Sequence, residues 1–210
     1  MRTVPIEKWE RREEYEHFIA FPNPFFDVTV RLNVTNLLRR TKAKEIPFYG
    51  ALIYATMKTV NSMDEFLCRV HGGDIVYYDE ARPFFVDMDK ETHKIKFVTY
   101  PMCDDMAEFA KGASAAGKAS HGLYGSTGDS CCECKVFISC SPQIAFTAFT
   151  AACHGNAEDF TPNITWGKYY EADDGEMLIP CAAKLNHCAQ DAHHASMFFT
   201  LLQKIIDEAN

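Results

Sequence analysis

A histidine and an aspartate lie four residues apart near the end of the chain. The segment reads KLNHCAQDA from Lys184 to Ala192, so His187 ends an apolar run and Asp191 precedes an amphipathic one. An imidazole held at the rim of a sheet can act as a general base, and an aspartate at a helix start can be held by backbone N–H groups. The same spacing often occurs by chance, and a histidine after a strand commonly has a structural role. Both interpretations are open at this point.

Cysteines are the second group of side chains that could carry chemistry. Four of the nine lie beside apolar or small residues, and we expect them to fill space in the core: Cys68, Cys140, Cys153 and Cys181. Cys131, Cys132 and Cys134 cluster in a polar stretch, but their spacing is not the paired spacing of a zinc site. We predict no metal and expect oxidation-prone surface thiols there, with a metal or redox sensor as the weaker alternative.

Composition limits the classes of function. The 210 residues suit one domain over 1–210, and 21 Lys and Arg against 29 Asp and Glu give a net charge of −8. Nucleic-acid binding requires clustered basic residues, which the chain lacks. No apolar stretch is long enough to cross a bilayer, and the opening MRTVPIEKWERREEYEHF is charged where a signal peptide would be apolar. We expect a cytoplasmic protein that binds neither nucleic acid nor membrane.

The elements that position these residues can be predicted from periodicity in the first half. Residues 25–33 alternate apolar and polar side chains, as a half-buried strand does. Residues 7–21 suit a short amphipathic helix or an extended arm, 35–42 a short basic helix, and the run after Pro47 a buried helix. Two apolar runs joined at Gly72 and Gly73 indicate a hairpin.

The second half mixes strands and helices irregularly. Asp104 is a candidate cap for a helix through Lys118, the Gly- and Ser-rich stretch 117–130 is the best loop candidate, and a last helix runs over 191–208. Strand-like runs lie at 84–87, 94–100, 135–140, 144–151, 164–170 and 177–185. This irregular order predicts an α+β domain in which helices pack on one large sheet.

The segment around His187 resembles the HHxxxDG active-site motif of the chloramphenicol acetyltransferases, which the acyltransferase cores of 2-oxo acid dehydrogenase complexes share in looser form. The resemblance runs in consistent order from about Ile6 to Asn210. It rests on IEKWERREEYEHF, PFYGALIY, DEFLCRVHGGDIVYYD, FISCSP, WGKYY and MLIP. It implies a large mixed β-sheet with packed helices, in the two-layer sandwich of that family.

The resemblance also implies catalytic roles. His187 falls on the general base that takes a proton from the acceptor hydroxyl as it attacks the acetyl thioester of coenzyme A. Ser139 falls on the serine that donates to the oxyanion, and Thr165 on a threonine that stabilises the tetrahedral intermediate through water. Asp191 falls on an aspartate that pairs with Arg11 and holds the shape of the site. Direct acyl transfer needs no covalent acyl-enzyme.

The two substrates have candidate binding residues on the same basis. Tyr49 and Tyr169 match aromatic positions of the coenzyme A channel, and Lys168 would supply positive charge near its phosphates. Each also suits an ordinary role as a core-edge aromatic or a solvated charge. The resemblance places His17 and Phe18 where the family presents a Phe-Tyr pair to chloramphenicol, and Gln143 where it has a tryptophan. Further aromatics would line an apolar acceptor pocket or the core: Phe25, Phe26, Phe84, Phe85 and Phe97.

Departures from the family's pattern are confined to a few positions. Asn186 replaces the first histidine of the motif, which does not transfer the proton. Ala192 replaces the motif glycine, which strains the backbone if φ is positive there and suits it if the residue is the first of a helix. His193 and His194 lie inside the final helix, so neither is predicted to be the base.

The resemblance implies an acetyl-CoA-dependent O-acetyltransferase with chloramphenicol as the expected acceptor, and hence a role in antibiotic resistance. It also implies a homotrimer whose sites lie between subunits, with His187 facing a pocket built largely by the neighbour. The changes at His17, Phe18 and Gln143 favour a different hydroxyl acceptor or acyl donor as the first alternative. A catalytically inactive trimeric binding protein is the second.

Overall fold

A computed structural model describes residues 1–124, 133–153 and 155–208. The strands are β1 (Arg2–Pro5), β2 (Phe25–Asn33), β3 (Cys68–His71), β4 (Asp74–Tyr77), β5 (Arg82–Met88), β6 (Ile95–Thr99), β7 (Lys135–Cys140), β8 (Asn163–Trp166), β9 (Tyr170–Glu171) and β10 (Met177–Asn186). The helices are α1 (Arg12–Phe18), α2 (Thr35–Ala43), α3 (Phe48–Val60), α4 (Asp64–Leu67), α5 (Met106–Ala119) and α6 (Ala192–Glu208), with a 3₁₀ turn at Ile6–Lys8.

The larger sheet has the strand order β2-β10-β8-β7-β5-β6, and β9 pairs with one end of β10. β7 runs parallel to β5 and β8, whereas β10 and β6 pair antiparallel with their neighbours. Helices α3, α5 and α6 contact one side of this sheet. The predicted α+β class, with a mixed sheet and a helix layer, is confirmed.

Alternation along the strands separates the two faces of the sheet. On β10, Ile179, Cys181, Ala183 and Leu185 join the hydrophobic core under the helices. The intervening residues point to the opposite face, which we call the site face. It carries Asp27 on β2, Lys184 on β10, Asn163 and Thr165 on β8, and Phe137 and Ser139 on β7.

Helix α3 is buried on nearly every side, because it lies between the sheet and neighbouring helices. A Cβ atom on Gly50 would come within 2.7 Å of the Ala110 Cα on α5. Glycine at this position therefore allows the two helices to approach closely.

A smaller sheet, β1-β4-β3, closes the N-terminal side of the molecule. Its core includes Trp9, Tyr15 and Phe160, and the indole of Trp9 donates to the Tyr77 hydroxyl at 2.8 Å. This packing holds the start of α1, and with it Arg11, beside the final helix.

Most of the predicted elements are confirmed, including β2 over its whole length and α3 after Pro47. The hairpin turns at Gly72 and Gly73, whose φ angles are 63° and 86°. The strand expected at 144–151 is wrong: this segment is irregular, and its side chains are largely exposed. The cap of α5 is Asp105 rather than Asp104, since the Asp105 carboxylate accepts the Glu108 N–H. Across the described ranges, no helix is long and apolar enough to span a membrane.

Candidate active site

His187 lies just beyond the last residue of β10, at the edge of the sheet formed with β2. Its backbone N–H donates to the Pro24 carbonyl at 2.9 Å, which continues the pairing of the two strands. The imidazole stacks on the Phe18 ring at 4.1 Å between centroids and 11° between planes, and Phe26 lies 4.6 Å away. Two aromatic rings from separate elements therefore set the orientation of this imidazole.

The two ring nitrogens of His187 differ in their surroundings. Nδ1 is buried and has no hydrogen-bond partner among the described residues. Nε2 is therefore the nitrogen through which the ring can meet a reacting group. For Nε2 to accept a proton, Nδ1 must carry the proton of the neutral ring.

Asp191 is held from both sides at the start of α6. One carboxylate oxygen accepts the His193 N–H at 2.8 Å and lies 3.0 Å from the His194 ring Nδ1, and the other lies 3.3 Å from Arg11 Nη1. Burial acts to raise the pKa of Asp191, but hydrogen bonds from the helix start and the nearby His194 and Arg11 lower it overall. The carboxylate is thus a fixed anion that joins α1 to α6.

Asn186, the first departure from the family's motif, is almost fully buried. Its amide donates to the carbonyls of Ala157 and Asp159 at 2.8 and 3.0 Å, and its oxygen accepts the Cys188 N–H at 2.9 Å. This side chain ties the segment before β8 to the turn that carries His187. At the second departure, Ala192 is the first residue of α6 and is not among the residues with positive φ. Alanine therefore suits its position.

Ser139 and Thr165 face each other across the parallel pair β7 and β8. Their hydroxyl oxygens lie 2.8 Å apart, and Thr165 is also 3.5 Å from the Asn163 amide oxygen. When the Thr165 hydroxyl donates to Ser139, the Ser139 proton is free to donate to a third group. The pair can therefore present one hydroxyl donor to an oxyanion.

A cavity of about 290 Å³ opens beside Ser139 on the site face. One wall is aromatic, with Phe25, Phe97 and Phe137. The other is polar and contains Asp159, Thr161, Asn163 and Lys184. The cavity suits a small molecule that has an apolar and a polar part.

The structure does not bring His187 and Ser139 together within one chain. Thr165, the partner of Ser139, pairs with Ala182 on β10, and His187 lies five residues further along, from 182 to 187. At roughly 3.3 Å per residue this is about 17 Å along the strand. One reacting hydroxyl cannot contact both side chains of the same chain.

The candidate coenzyme A residues cluster around the start of α3. The buried hydroxyl of Tyr49 donates to the Val86 carbonyl at 3.2 Å, and burial raises the pKa of Tyr49 well above its usual value. Tyr49 lines a second cavity, of about 510 Å³. Tyr169 is 44% exposed and packs edge-on against Phe48, and Lys168 is exposed next to it. An exposed aromatic ring and an adjacent cation suit a nucleotide-bearing substrate.

The candidate acceptor residues separate into four places. Phe97 lines the Ser139 cavity, whereas Phe85 points to the helix layer and lies in the hydrophobic core. Phe18 and Phe26 contact the His187 ring, with His17 against Phe18 at 4.9 Å. Gln143 is exposed in the segment after β7 and does not line the Ser139 cavity.

The cysteines divide differently from what the sequence predicts. Cys68 and Cys181 are buried, and burial raises the pKa of Cys68 to about 12. Cys153 is exposed at the rim of the Ser139 cavity, so its predicted core position is wrong. Cys134 is buried rather than at the surface. Cys131 and Cys132 lie outside the described residues.

Sequence reasoning missed two contributors. His194, which the sequence analysis excludes as the base, contacts both Asp191 and, at 3.9 Å, Glu65. Lys184 lines the Ser139 cavity, a role that the sequence analysis does not predict. Residues of β10 alternate between the core and the site face, and this alternation could have indicated that Lys184 lies on the site face.

Comparisons with known proteins agree with this architecture. A family model described as chloramphenicol acetyltransferase matches residues 1–203. Chloramphenicol acetyltransferase of Klebsiella sp is 27% identical, over 98% of this chain and 94% of that protein. Chloramphenicol acetyltransferase 2 of Haemophilus influenzae is 26% identical, over 97% and 96%.

Two solved structures share the fold. A chloramphenicol acetyltransferase superposes with a TM-score of 0.85 at 24% identity, covering 97% of this chain and 98% of that one. The cubic core of the pyruvate dehydrogenase multienzyme complex reaches a TM-score of 0.70 at 14% identity, covering 89% and 82%. The second similarity is one of fold.

Proposed function

Since the chain belongs to the chloramphenicol acetyltransferase family and is therefore an acyltransferase, we propose that it transfers the acetyl group of acetyl-CoA to a hydroxyl of chloramphenicol. In a cell this reaction would confer resistance to the antibiotic, and the cytoplasm is the proposed location. The observation that carries the proposal is the cavity beside Ser139, which places a hydroxyl donor next to space for a small acceptor.

In the proposed reaction, His187 Nε2 takes the proton of the acceptor hydroxyl while the oxygen attacks the thioester carbonyl carbon. The oxyanion of the tetrahedral intermediate accepts a hydrogen bond from Ser139, which Thr165 orients. The carbon–sulfur bond then breaks, and the thiolate takes the proton from His187. The products are the acetyl ester and free coenzyme A, so every proton is accounted for.

The separation of about 17 Å along β10 supports a site whose two halves come from different copies of the chain. We propose a homotrimer in which His187 of one copy faces the Ser139 cavity of the next. A closed ring of three copies would repeat this head-to-tail contact and make three equivalent sites. Phe18 and Phe26 would then accompany His187 to the rim of the neighbouring cavity.

Acetyl-CoA is proposed to approach from the side of Tyr49 and Tyr169. Tyr169 offers an exposed ring, and Lys168 a cation that forms no ion pair within the described ranges. A local cation can attract the phosphates although the net charge is −8. The two substrates would reach the reacting atoms from opposite directions.

The test is thiol release from acetyl-CoA with chloramphenicol as acceptor. We expect acceptor-dependent release that falls by roughly 10²–10³ in Ser139→Ala, because one oxyanion donor is lost. Ser141→Ala, just beyond β7, serves as the matched control and should keep its rate. Release independent of chloramphenicol, or unchanged in Ser139→Ala, would contradict the proposal.

A different hydroxyl acceptor is the second candidate. The polar wall of the cavity favours a different acceptor, because polar groups left unpaired in a cavity select strongly against acceptors that do not match them. Thiol release with another alcohol, but not with chloramphenicol, would select this alternative. An inactive binding protein would bind acceptors without releasing thiol from acetyl-CoA with any of them.

A further inference from the structure

A buried lysine lies in the wall of the Ser139 cavity. The Lys184 side chain is 9% exposed, and its ammonium donates to the Asp27 carboxylate at 2.8 Å. Asp27 also accepts the Thr150 hydroxyl at 2.9 Å, which ties the segment after β7 to the sheet. A buried ammonium needs such a partner, because removing a charge from water is costly.

The ion pair does not use the full hydrogen-bonding capacity of the lysine. An ammonium has three N–H donors, and Asp27 accepts one of them. No second acceptor for Lys184 lies among the described residues, and the Phe25 ring centroid is 6.0 Å from its ammonium. Because the side chain lines the cavity, the remaining donors can serve a molecule inside it.

Strand register gives the position of Lys184 relative to the proposed reaction. Lys184 pairs with Asn163, which pairs with Phe137. Ala182, Thr165 and Ser139 form the next row on the same face. Two residues along a strand span about 7 Å, and β10 and β7 are two strand spacings, or about 10 Å, apart. The backbones at Lys184 and Ser139 are therefore about 12 Å apart.

Charges around the cavity restrict the chemistry of its occupant. Lys184 contributes one positive charge, and Asp27 and Asp159 contribute two negative charges. A carboxylate would add a third negative charge to this group and meet repulsion. A neutral oxygen with a partial negative charge can accept from Lys184 without that cost.

We propose that Lys184 determines acceptor specificity: it selects neutral alcohols that carry a hydrogen-bond-accepting oxygen at the end of the molecule remote from the hydroxyl to be acetylated. The aromatic wall would hold a ring between these two groups. This inference rests on the proposed acetyl transfer, and it names the substrate class for the Ser139 cavity.

Two matched alcohols test it. Para-nitrobenzyl alcohol carries accepting oxygens opposite its hydroxyl, and para-isopropylbenzyl alcohol has methyl groups in the same shape. We expect the wild-type protein to prefer the nitro compound, and Lys184→Met to raise its KM about 10-fold or more. The KM for the isopropyl compound should change less, so the ratio of the two KM values is the readout, and the KM for acetyl-CoA is the reference.

A double variant separates recognition from folding. Lys184→Met leaves Asp27 without its cation, whereas Lys184→Met with Asp27→Asn removes both charges. If Lys184 acts on the acceptor, the double variant regains stability but not the preference for the nitro compound. Recovery of that preference in the double variant would overturn the inference.

Binding calorimetry without acetyl-CoA makes the test independent of turnover. If wild type and Lys184→Met show the same preference between the two alcohols, the inference is overturned. Failure of both alcohols to bind overturns it too, even when thiol release with chloramphenicol succeeds. Tighter binding of para-(hydroxymethyl)benzoate than of the nitro compound also overturns it. If thiol release fails while the Lys184-dependent preference persists, the proposed reaction is wrong and the specificity inference stands.

Discussion

The His187 end of the larger sheet and its Ser139 end are built differently. At the His187 end, Asn186 and Asp191 have their polar atoms bonded to neighbours, and two aromatic rings hold the imidazole. At the Ser139 end, the polar side chains surround a cavity and Lys184 has donors to spare. The residues around His187 are fixed by contacts within the chain, whereas the residues around Ser139 line a cavity that can bind a small molecule.

The difference shows how positioning and specificity can be divided. The residues that position His187 need many fixed hydrogen bonds, because a general base must be held within a small range of geometry. The Ser139 cavity needs unpaired polar groups, because these select against acceptors that lack the atoms to form hydrogen bonds with them. His187 lies about 17 Å along β10 from the row that holds Ser139, so the imidazole and the serine hydroxyl can serve different sites of an oligomer, while the cavity itself extends to Phe25, which pairs with Asn186.

The largest expected effect comes from removing the imidazole. His187→Ala should lower kcat by roughly 10²–10⁴, the usual contribution of a general base, as measured by thiol release. His193→Ala is the matched control, because that ring is exposed on α6. A His187→Ala enzyme with most of its rate would assign proton transfer to another group.

Mixing copies tests whether the two ends meet between chains. Co-expressed His187→Ala and Ser139→Ala chains should recover about a quarter of wild-type activity, since random assembly pairs an intact His187 end with an intact Ser139 end at one site in four. Ser139→Ala mixed with Thr165→Ala should not recover, because both lesions lie at the same end. Equal recovery in both mixtures, or none in either, would contradict a shared site.

Loss of the Asn186 side-chain amide should destabilise the turn that carries His187. Asn186→Ala leaves the Ala157 and Asp159 carbonyls and the Cys188 N–H without their partner. We expect it to lower the free energy of unfolding by roughly 2–4 kcal/mol in urea titrations. Asn36→Ala, at an exposed position on α2, should change it by less than about 0.5 kcal/mol. Similar losses in both variants would show that Asn186 is not central.

The smallest effect is the pH dependence contributed by Asp191. Its pKa is lower in the folded protein than in the unfolded chain, so it adds stability above the unfolded pKa of about 3.9, and that stability disappears as the pH falls. Between about pH 5 and pH 3, wild type should lose more stability than Asp191→Asn, by under about 1 kcal/mol because the carboxylate is partly exposed. Thermal unfolding over this range measures the difference, with Asp173→Asn as the control.

Periodicity was sufficient where burial on one side imposes a repeat. β2 alternates because one of its faces packs on helices, and α3 is apolar at helical spacing because it is buried. It failed at 144–151, where Ile144 and Phe146 alternate with smaller residues but do not pair in the sheet. Apolar alternation indicates burial of one face, and it cannot tell whether a neighbouring strand is there to accept hydrogen bonds.

The sequence alone predicts the α+β class, most of the elements and the pair His187 and Asp191, and the family resemblance adds Ser139 and Thr165 as candidates. Arg11 contacts Asp191, as the resemblance implies. The contact of Ser139 with Thr165 and the distance of His187 from both hydroxyls became evident only from the tertiary structure. It also placed Lys184 in the cavity and Phe85 in the core. The reason is physical: periodicity reports which side of an element is buried, whereas contacts between distant segments depend on the order and register of the strands, which no local pattern encodes.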